Sequence, residues 1–222
     1  QDARVLQDAG FDALVFANEG DRPYLTPVGP ETVANYVRIA TEVASEIRVP
    51  FGCGVLIDPI ATLAVAKAIG AKFVRTYVSG SYEGLFGSQK FNPGEIFRYQ
   101  RRVGADDVRV YTYFEAHAGT CLDTRSSEEM LEAGVANMPI AGALFGGAHA
   151  GLPPEESHIV HLKERFPEVP IIIGSGGRVD NIGDLLPHAD GVIVGTSIKR
   201  DGILWNNVDA SRAQAFIKAA KG

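Results

Sequence analysis

Short apolar runs rich in β-branched and aromatic residues alternate along this chain with longer stretches whose apolar residues recur every three or four positions. The runs are Ala13–Ala17, Phe51–Leu56, Phe73–Val78, Val108–Phe114, Ala141–Phe145, Pro170–Ile173 and Gly191–Val194. Their length and composition predict buried strands. The amphipathic stretches predict helices over Ala3–Gly10, Glu31–Arg48, Ile60–Gly70, Pro93–Val103, Ser126–Ala136, Pro154–Phe166, Asp180–Leu186 and Asp209–Lys221. Start signals support several of them: Pro30 precedes Glu31, and Ser126-Ser127-Glu128-Glu129 forms an acidic first turn. Gly70, Gly104 and Gly134 stand where glycines that end helices are expected.

The rhythm is αβαβ throughout, without a linker, low-complexity tract or break in composition, so residues 1–222 read as a single parallel-sheet domain. The expected fold is a (β/α)8 TIM barrel. Such a barrel needs eight strands where seven runs are visible. A first strand, preceding Gln1 in the native protein, is therefore expected to be missing from this chain. A seven-stranded or open sheet complete as written is the competing reading. A flavodoxin-like sheet fits less well, because its phosphate turn follows the first strand.

The fold expectation rests most on two glycine-rich turns in the last third. One is Gly174-Ser175-Gly176-Gly177 after Pro170–Ile173, and the other is Gly195-Thr196-Ser197 after Gly191–Val194. Consecutive glycines at a strand end expose backbone N–H groups without side chains in the way. Barrels commonly build a phosphate site from the loops after their last two strands. Gly174, Ser175, Gly176, Gly195, Thr196 and Ser197 are accordingly phosphate-binding candidates, with Lys199 adding positive charge. Either turn alone could be purely structural.

Residues just after the other runs are the next candidates, since strand ends carry the site in barrels. Asn18, Arg75 and Asp58 are candidates for orienting a substrate, and Asp21, Glu115 and His117 for acid–base work. Asp21 could equally be a turn acceptor before Arg22-Pro23. Glu115 and His117 share a face at period-2 spacing and could form an acid–base or metal pair. Arg75 lies inside a strand, where a charge is costly unless it is paired or serves a ligand. His158 and His161, at i and i+3 on an expected helix away from the strand ends, read as surface histidines, and His188 belongs to a late loop on the opposite end.

The net charge of −6 argues against a nucleic-acid surface, which needs clustered Lys and Arg. No apolar run reaches the length of a membrane span, and Gln1-Asp2-Ala3-Arg4 does not open a signal peptide. Cys53 and Cys121 are far apart and outside any C-x-x-C pair, which suits a reducing cytoplasm and gives no zinc site.

The run Ala189-Asp-Gly-Val-Ile-Val-Gly-Thr-Ser-Ile-Lys-Arg-Asp-Gly202, with Asn207-Val208-Asp209, resembles the C-terminal signature of the BtpA family. Looser matches occur in order before it: Asn18 with Asp21 and Pro23, Val28–Thr32, Arg75, Arg98-Tyr99-Gln-Arg101, Gly151–Pro154, and Gly174–Gly176 with Asn181. The resemblance implies a phosphate-binding TIM barrel whose relatives open with a strand before the first helix. The family's namesake is linked to photosystem I biogenesis in cyanobacteria, and another branch, SgcQ, lies among sugar-metabolism genes. This chain departs from the family pattern at Ala17, Gly54, Ile57 and His117, where relatives usually carry Glu, Asn, Arg and Lys. The phosphate end is retained while the polar rim is altered.

Together these features point to a cytoplasmic protein acting on a small phosphorylated sugar or nucleoside-like metabolite by isomerase- or lyase-type proton transfer. A non-catalytic assembly factor and a metal-dependent hydrolase are the alternatives, so catalysis itself stays open. The sequence names no cofactor and no metal, and it leaves a homo-oligomer open.

Overall fold

The computed structural model describes residues 1–115, 119–147 and 151–222. In chain order the elements begin with α1 (Asp2–Ala9), β1 (Leu14–Ala17), α2 (Pro30–Ala44), β2 (Phe51–Gly54), α3 (Pro59–Ile69) and β3 (Phe73–Thr76). There follow β4 (Gly80–Gly84), β5 (Gly87–Phe91), α4 (Pro93–Arg102), β6 (Arg109–Tyr113), β7 (Gly119–Cys121) and α5 (Ser127–Asn137). The chain ends with β8 (Gly142–Phe145), α6 (Glu156–Arg165), β9 (Ile171–Ile173), α7 (Ile182–Leu185), β10 (Gly191–Val192) and α8 (Ala210–Lys221). Each run read as a strand contains a strand, and each helix expected from periodicity is present.

Two compact units divide the chain: Ala13–Ala141, and Gly142–Gly222 together with Gln1–Asp12. In the first, β1 pairs with β2, β2 with β3 and β3 with β6, all parallel. Side-chain alternation then sorts the residues by face. Cys53, Val74 and Val110 are buried in one cluster with Leu63, Val65, Ala66 and Ile69 of α3 and Ile96 of α4. Phe73, Arg75, Tyr111 and Tyr113 therefore lie on the face away from those helices. Gly52 belongs to that same face, and a Cβ there would meet the Phe73 ring at 2.4 Å.

The helix starts follow their sequence signals. Asp58 caps α3 by accepting the Ala61 N–H at 2.8 Å, and Asn92 caps α4. Ser126 and Glu129 form a reciprocal capping box on α5. Gly70 ends α3 in a left-handed conformation. Gly134 differs from expectation. It sits inside α5, where a Cβ would strike the Phe114 ring at 2.5 Å, so close packing requires it rather than helix termination. α2 stops at Ala44, short of Arg48, where the Ser45 hydroxyl bonds the Glu42 carbonyl at 2.7 Å. After β3 the chain forms a second, antiparallel sheet: β4 and β5 make a hairpin, and β7 pairs with β4 on its other edge.

In the second unit β8 pairs with β9 and β9 with β10, both parallel. Leu6 of α1 packs with Ile182, Ile198 and Phe216, and Phe11 stacks on Phe216 at 6.1 Å. Asp2 binds the Lys199 ammonium at 2.7 Å and accepts the Val208 N–H at 3.1 Å. Among the described residues no helix is long and apolar enough to cross a membrane.

Candidate active site

Both glycine turns lie in the second unit, and hydrogen bonds hold them to each other. β9 ends as the Gly174 N–H reaches the Phe145 carbonyl at 2.6 Å, the last ladder bond on that side. Gly176 then takes φ +81°, and a Cβ there would fall 2.1 Å from the Pro153 nitrogen. Both facts demand glycine. Asn181 shapes the turn by donating to the Gly176 carbonyl at 3.1 Å while accepting the Arg178 N–H at 2.8 Å. Ser197 donates its hydroxyl to the Gly177 carbonyl at 2.7 Å, and Ser175 donates to the Leu152 carbonyl at 3.2 Å.

With those carbonyls and hydroxyls engaged, the turns keep their donors. Among the described residues the backbone N–H groups of Ser175, Gly176, Gly177, Gly195 and Thr196 meet no acceptor. Gly195 has φ −139°, and nothing lies within 4 Å of where its Cβ would be. Lys199 is held elsewhere: its ammonium pairs with Asp2, and the side chain is only 20% exposed. Positive charge at these turns thus comes from peptide dipoles rather than from Lys199.

The remaining candidates lie in the first unit. Asn18, just past β1, is a structural clasp. Its carbonyl oxygen accepts the Leu56 N–H at 2.8 Å, and its amide donates to the Asp21 carboxylate at 3.0 Å. The Asp21 N–H also closes a turn on the Asn18 carbonyl at 3.0 Å. Asp21 is therefore oriented by Asn18 and exposed. Asp58 is buried and its carboxylate is fully engaged, one oxygen capping α3 and the other accepting the Val28 N–H at 3.0 Å. It lies in the wall of a largely apolar groove of about 660 Å³ formed by α2, α3 and α4.

Arg75 donates through Nε to the Tyr113 hydroxyl and sits 5.3 Å from the centre of that ring. Burial pulls its pKa down, but Tyr113, Glu19 and Tyr77 outweigh it and the net direction is up. Glu115 holds its carbonyl 3.2 Å from the Tyr77 hydroxyl. His117 lies outside the described residues. Without it, no three His, Cys, Asp or Glu side chains among the described residues gather as a metal-binding set. His158 departs from the surface role expected of it: the ring is half-buried and packs edge-on against Phe145 at 5.6 Å. His188 faces Glu156 at 3.6 Å.

Two side chains with no assigned role belong to this group. Glu19 accepts the Tyr24 hydroxyl at 3.1 Å, and Tyr24 in turn accepts from Arg22 Nε at 3.0 Å. Tyr113 supplies the partner of Arg75. Period-2 alternation puts Tyr113 on the face of Glu115, but only the β3–β6 register brings it to Arg75.

The fold has counterparts among solved structures. The chain aligns over 98% of its length with 92% of phosphoribosyl anthranilate isomerase from Thermus thermophilus (TM-score 0.61, 14% identity). It aligns over its full length with 90% of thiamine phosphate pyrophosphorylase from Pyrococcus furiosus (TM-score 0.59, 15% identity). The architecture is that of a TIM barrel. In sequence the chain is 36% identical over 217 residues to the putative sgc region protein SgcQ of Escherichia coli K12, covering 98% of this chain and 81% of that protein. It is 32% identical over 228 residues to the photosystem I biogenesis protein BtpA of Synechocystis, covering 99% and 77%. The BtpA family model matches residues 1–222 from end to end, and this chain is a member of the BtpA family.

Proposed function

We propose that the turns at 174–177 and 195–197 hold the phosphate of a small phosphorylated sugar or nucleoside-like metabolite. The observation that carries this reading is the set of N–H groups on Ser175, Gly176, Gly177, Gly195 and Thr196 that meet no acceptor among the described residues. Such groups donate to phosphate oxygens without reorganising when the ligand arrives. Ser197 and Asn181 keep the turns in shape, and Lys199 supports them indirectly through Asp2. The isomerase and the pyrophosphorylase of like fold carry phosphorylated compounds in their names, which supports the same reading.

The chemistry proposed is proton transfer of the isomerase or lyase type. One carboxylate takes a proton from carbon beside a carbonyl, and an acid returns a proton to a neighbouring atom. Asp21, Glu115 and His117 are the acid–base residues in this proposal, with Asn18 orienting Asp21. Asp58 keeps a supporting role as helix cap.

Thermal-shift measurement against a library of phosphate esters tests the phosphate grip. Gly195→Asp is the informative variant, because open space surrounds that Cβ position and the new carboxylate would repel phosphate. Native protein should be stabilised by at least one ester, and Gly195→Asp should lose that shift while melting normally. No shift in native protein, or an unchanged shift in the variant, refutes the reading.

A docking role is the second reading, supported by the name of the cyanobacterial relative and by Leu85, 90% exposed at the tip of the β4–β5 hairpin. Capture of one defined partner, lost in Leu85→Ser and kept in Gly195→Asp, would favour it.

A further inference from the structure

The second unit covers its large apolar side chains except beside the glycine turns. Among the described residues, those it leaves exposed are Leu152, Val179, Ile203 and Trp205, and none stands on α1, α6, α7 or α8. All four fall in loops that follow its strands: Leu152 after β8, Val179 after β9, and Ile203 and Trp205 after β10. Single exposed apolar residues are ordinary on a protein surface. Their confinement to the loops that carry the anion-binding donors marks a ligand site.

The backbone fixes these loops against the turns. The Leu152 carbonyl accepts the Ser175 hydroxyl, and a Cβ on Gly176 would fall 2.2 Å from the Leu152 carbonyl carbon. Val179 follows Gly177 by two residues. Beyond the second turn, Lys199 bridges to Val208 and closes the segment between them into a loop. Inside it the Arg200 N–H reaches the Asn207 carbonyl at 3.0 Å, and the Asn206 amide reaches the Arg200 carbonyl at 2.9 Å. Arg212 ties this loop to the turn: its Nη1 donates to the Ser197 carbonyl at 3.2 Å and lies 4.0 Å from where a Gly202 Cβ would stand. Trp205, the single tryptophan of the chain, sits in a tight turn closed by the Asn206 N–H on the Ile203 carbonyl at 3.0 Å, and it is 58% exposed. The ring is thus presented from a backbone that is already ordered, which spares a ligand that cost.

The polar side chains narrow what the phosphate is attached to. Ser175, Ser197, Asn181 and Lys199 already bond to Leu152, Gly177, Gly176 and Asp2. A polyol joined to the phosphate would find those four taken, whereas a planar ring needs only apolar contact and an aromatic face.

We infer that the ligand of the turns is a phosphate ester carrying an aromatic ring, and that Trp205 is the residue on which the ring stacks. The inference rests on the phosphate reading for where the ester is anchored, and it adds what the ester carries. Stacking on an aromatic side chain accepts any π-face, so aryl phosphates and mononucleotides share this chemistry.

Paired probes test it by calorimetry: AMP against ribose 5-phosphate, and phenyl phosphate against methyl phosphate. The first pair carries the ring on a ribose and the second directly on the phosphate, so the two sources are told apart. Adenosine, without phosphate, completes the set. In native protein one ring-bearing ester should bind about ten-fold more tightly than its ring-less counterpart. It should also change the tryptophan emission, which comes from Trp205 alone. Trp205→Ser should abolish the preference and leave the ring-less ester's affinity unchanged, and Trp205→Phe should restore part of it. Gly195→Asp should weaken both members of a pair alike. Equal binding of the two in native protein overturns the inference, as does a preference that survives Trp205→Ser or an emission unchanged on binding. In the first of these cases, ring-less binding that is still lost in Gly195→Asp leaves the phosphate reading standing. If adenosine binds through Trp205 while no ester responds to Gly195→Asp, the phosphate reading falls and the stacking assignment stands. No binding of any probe overturns both.

Discussion

The hydroxyl of Ser197 lies 2.7 Å from the carbonyl of Gly177, so the second glycine turn is tied to the first by a side chain rather than by the sheet. β10 is paired with β9 only through Gly191 and Val192, and beyond Ile193 no ladder bond joins the two strands. Ser197→Ala should therefore loosen the turns. We expect a stability loss of about 1 kcal/mol in urea melts and a several-fold weaker affinity for phosphate esters by calorimetry.

Gly176 and Gly195 look alike in sequence and should behave differently. Gly176→Ala places a methyl at φ +81° and against the Pro153 nitrogen. A destabilisation of at least about 2–3 kcal/mol is expected from thermal melts. Gly195→Ala meets nothing within 4 Å and should stay within about 0.5 kcal/mol of native.

Asp58→Ala removes the cap of α3 and the acceptor of the Val28 N–H together. The expected loss is about 2–3 kcal/mol by chemical denaturation. Asp58→Asn keeps one acceptor oxygen and should recover part of it. If Asp58 bound substrate rather than backbone, both variants would lose affinity and keep their stability.

Cys53 is buried, and that burial pushes its thiol up to about 12 from an ordinary value of 9.0. The folded state favours the protonated thiol, so the unfolded chain ionises first. The contribution of this group to stability is complete below pH 9 and declines from there towards pH 12. Native protein should accordingly lose more stability across that window than Cys53→Ala does. A thiol reagent at pH 8 should label Cys53 only after unfolding.

Much of this was legible in the sequence because it is local. Capping of α3 by Asp58 and the box at Ser126 and Glu129 depend on neighbours three residues apart. The glycine turns announce themselves by composition. What escaped depends on long-range register or packing. Gly134 resembles a helix end until Phe114 is seen against it, and the β4–β5 hairpin hides in a stretch whose glycines suggest a loop. The pairing of Lys199 with Asp2 spans 197 residues, and no local pattern marks it. Arg75 was visible as an anomaly, but its partner Tyr113 is set by the β3–β6 register.

That long-range pair bears on the order in which the chain is made. α1 carries Asp2, and its apolar side packs with Ile198 and Phe216, while the intervening residues 13–141 form a compact unit of their own. On the ribosome, α1 must wait for α8 to be translated, with a compact unit assembled in between. An arrested nascent chain ending before α8 should expose α1 to protease while protecting β1 to β6. The glycine turns, joined to that late-closing half, would become competent to hold an anion only once α8 has been made.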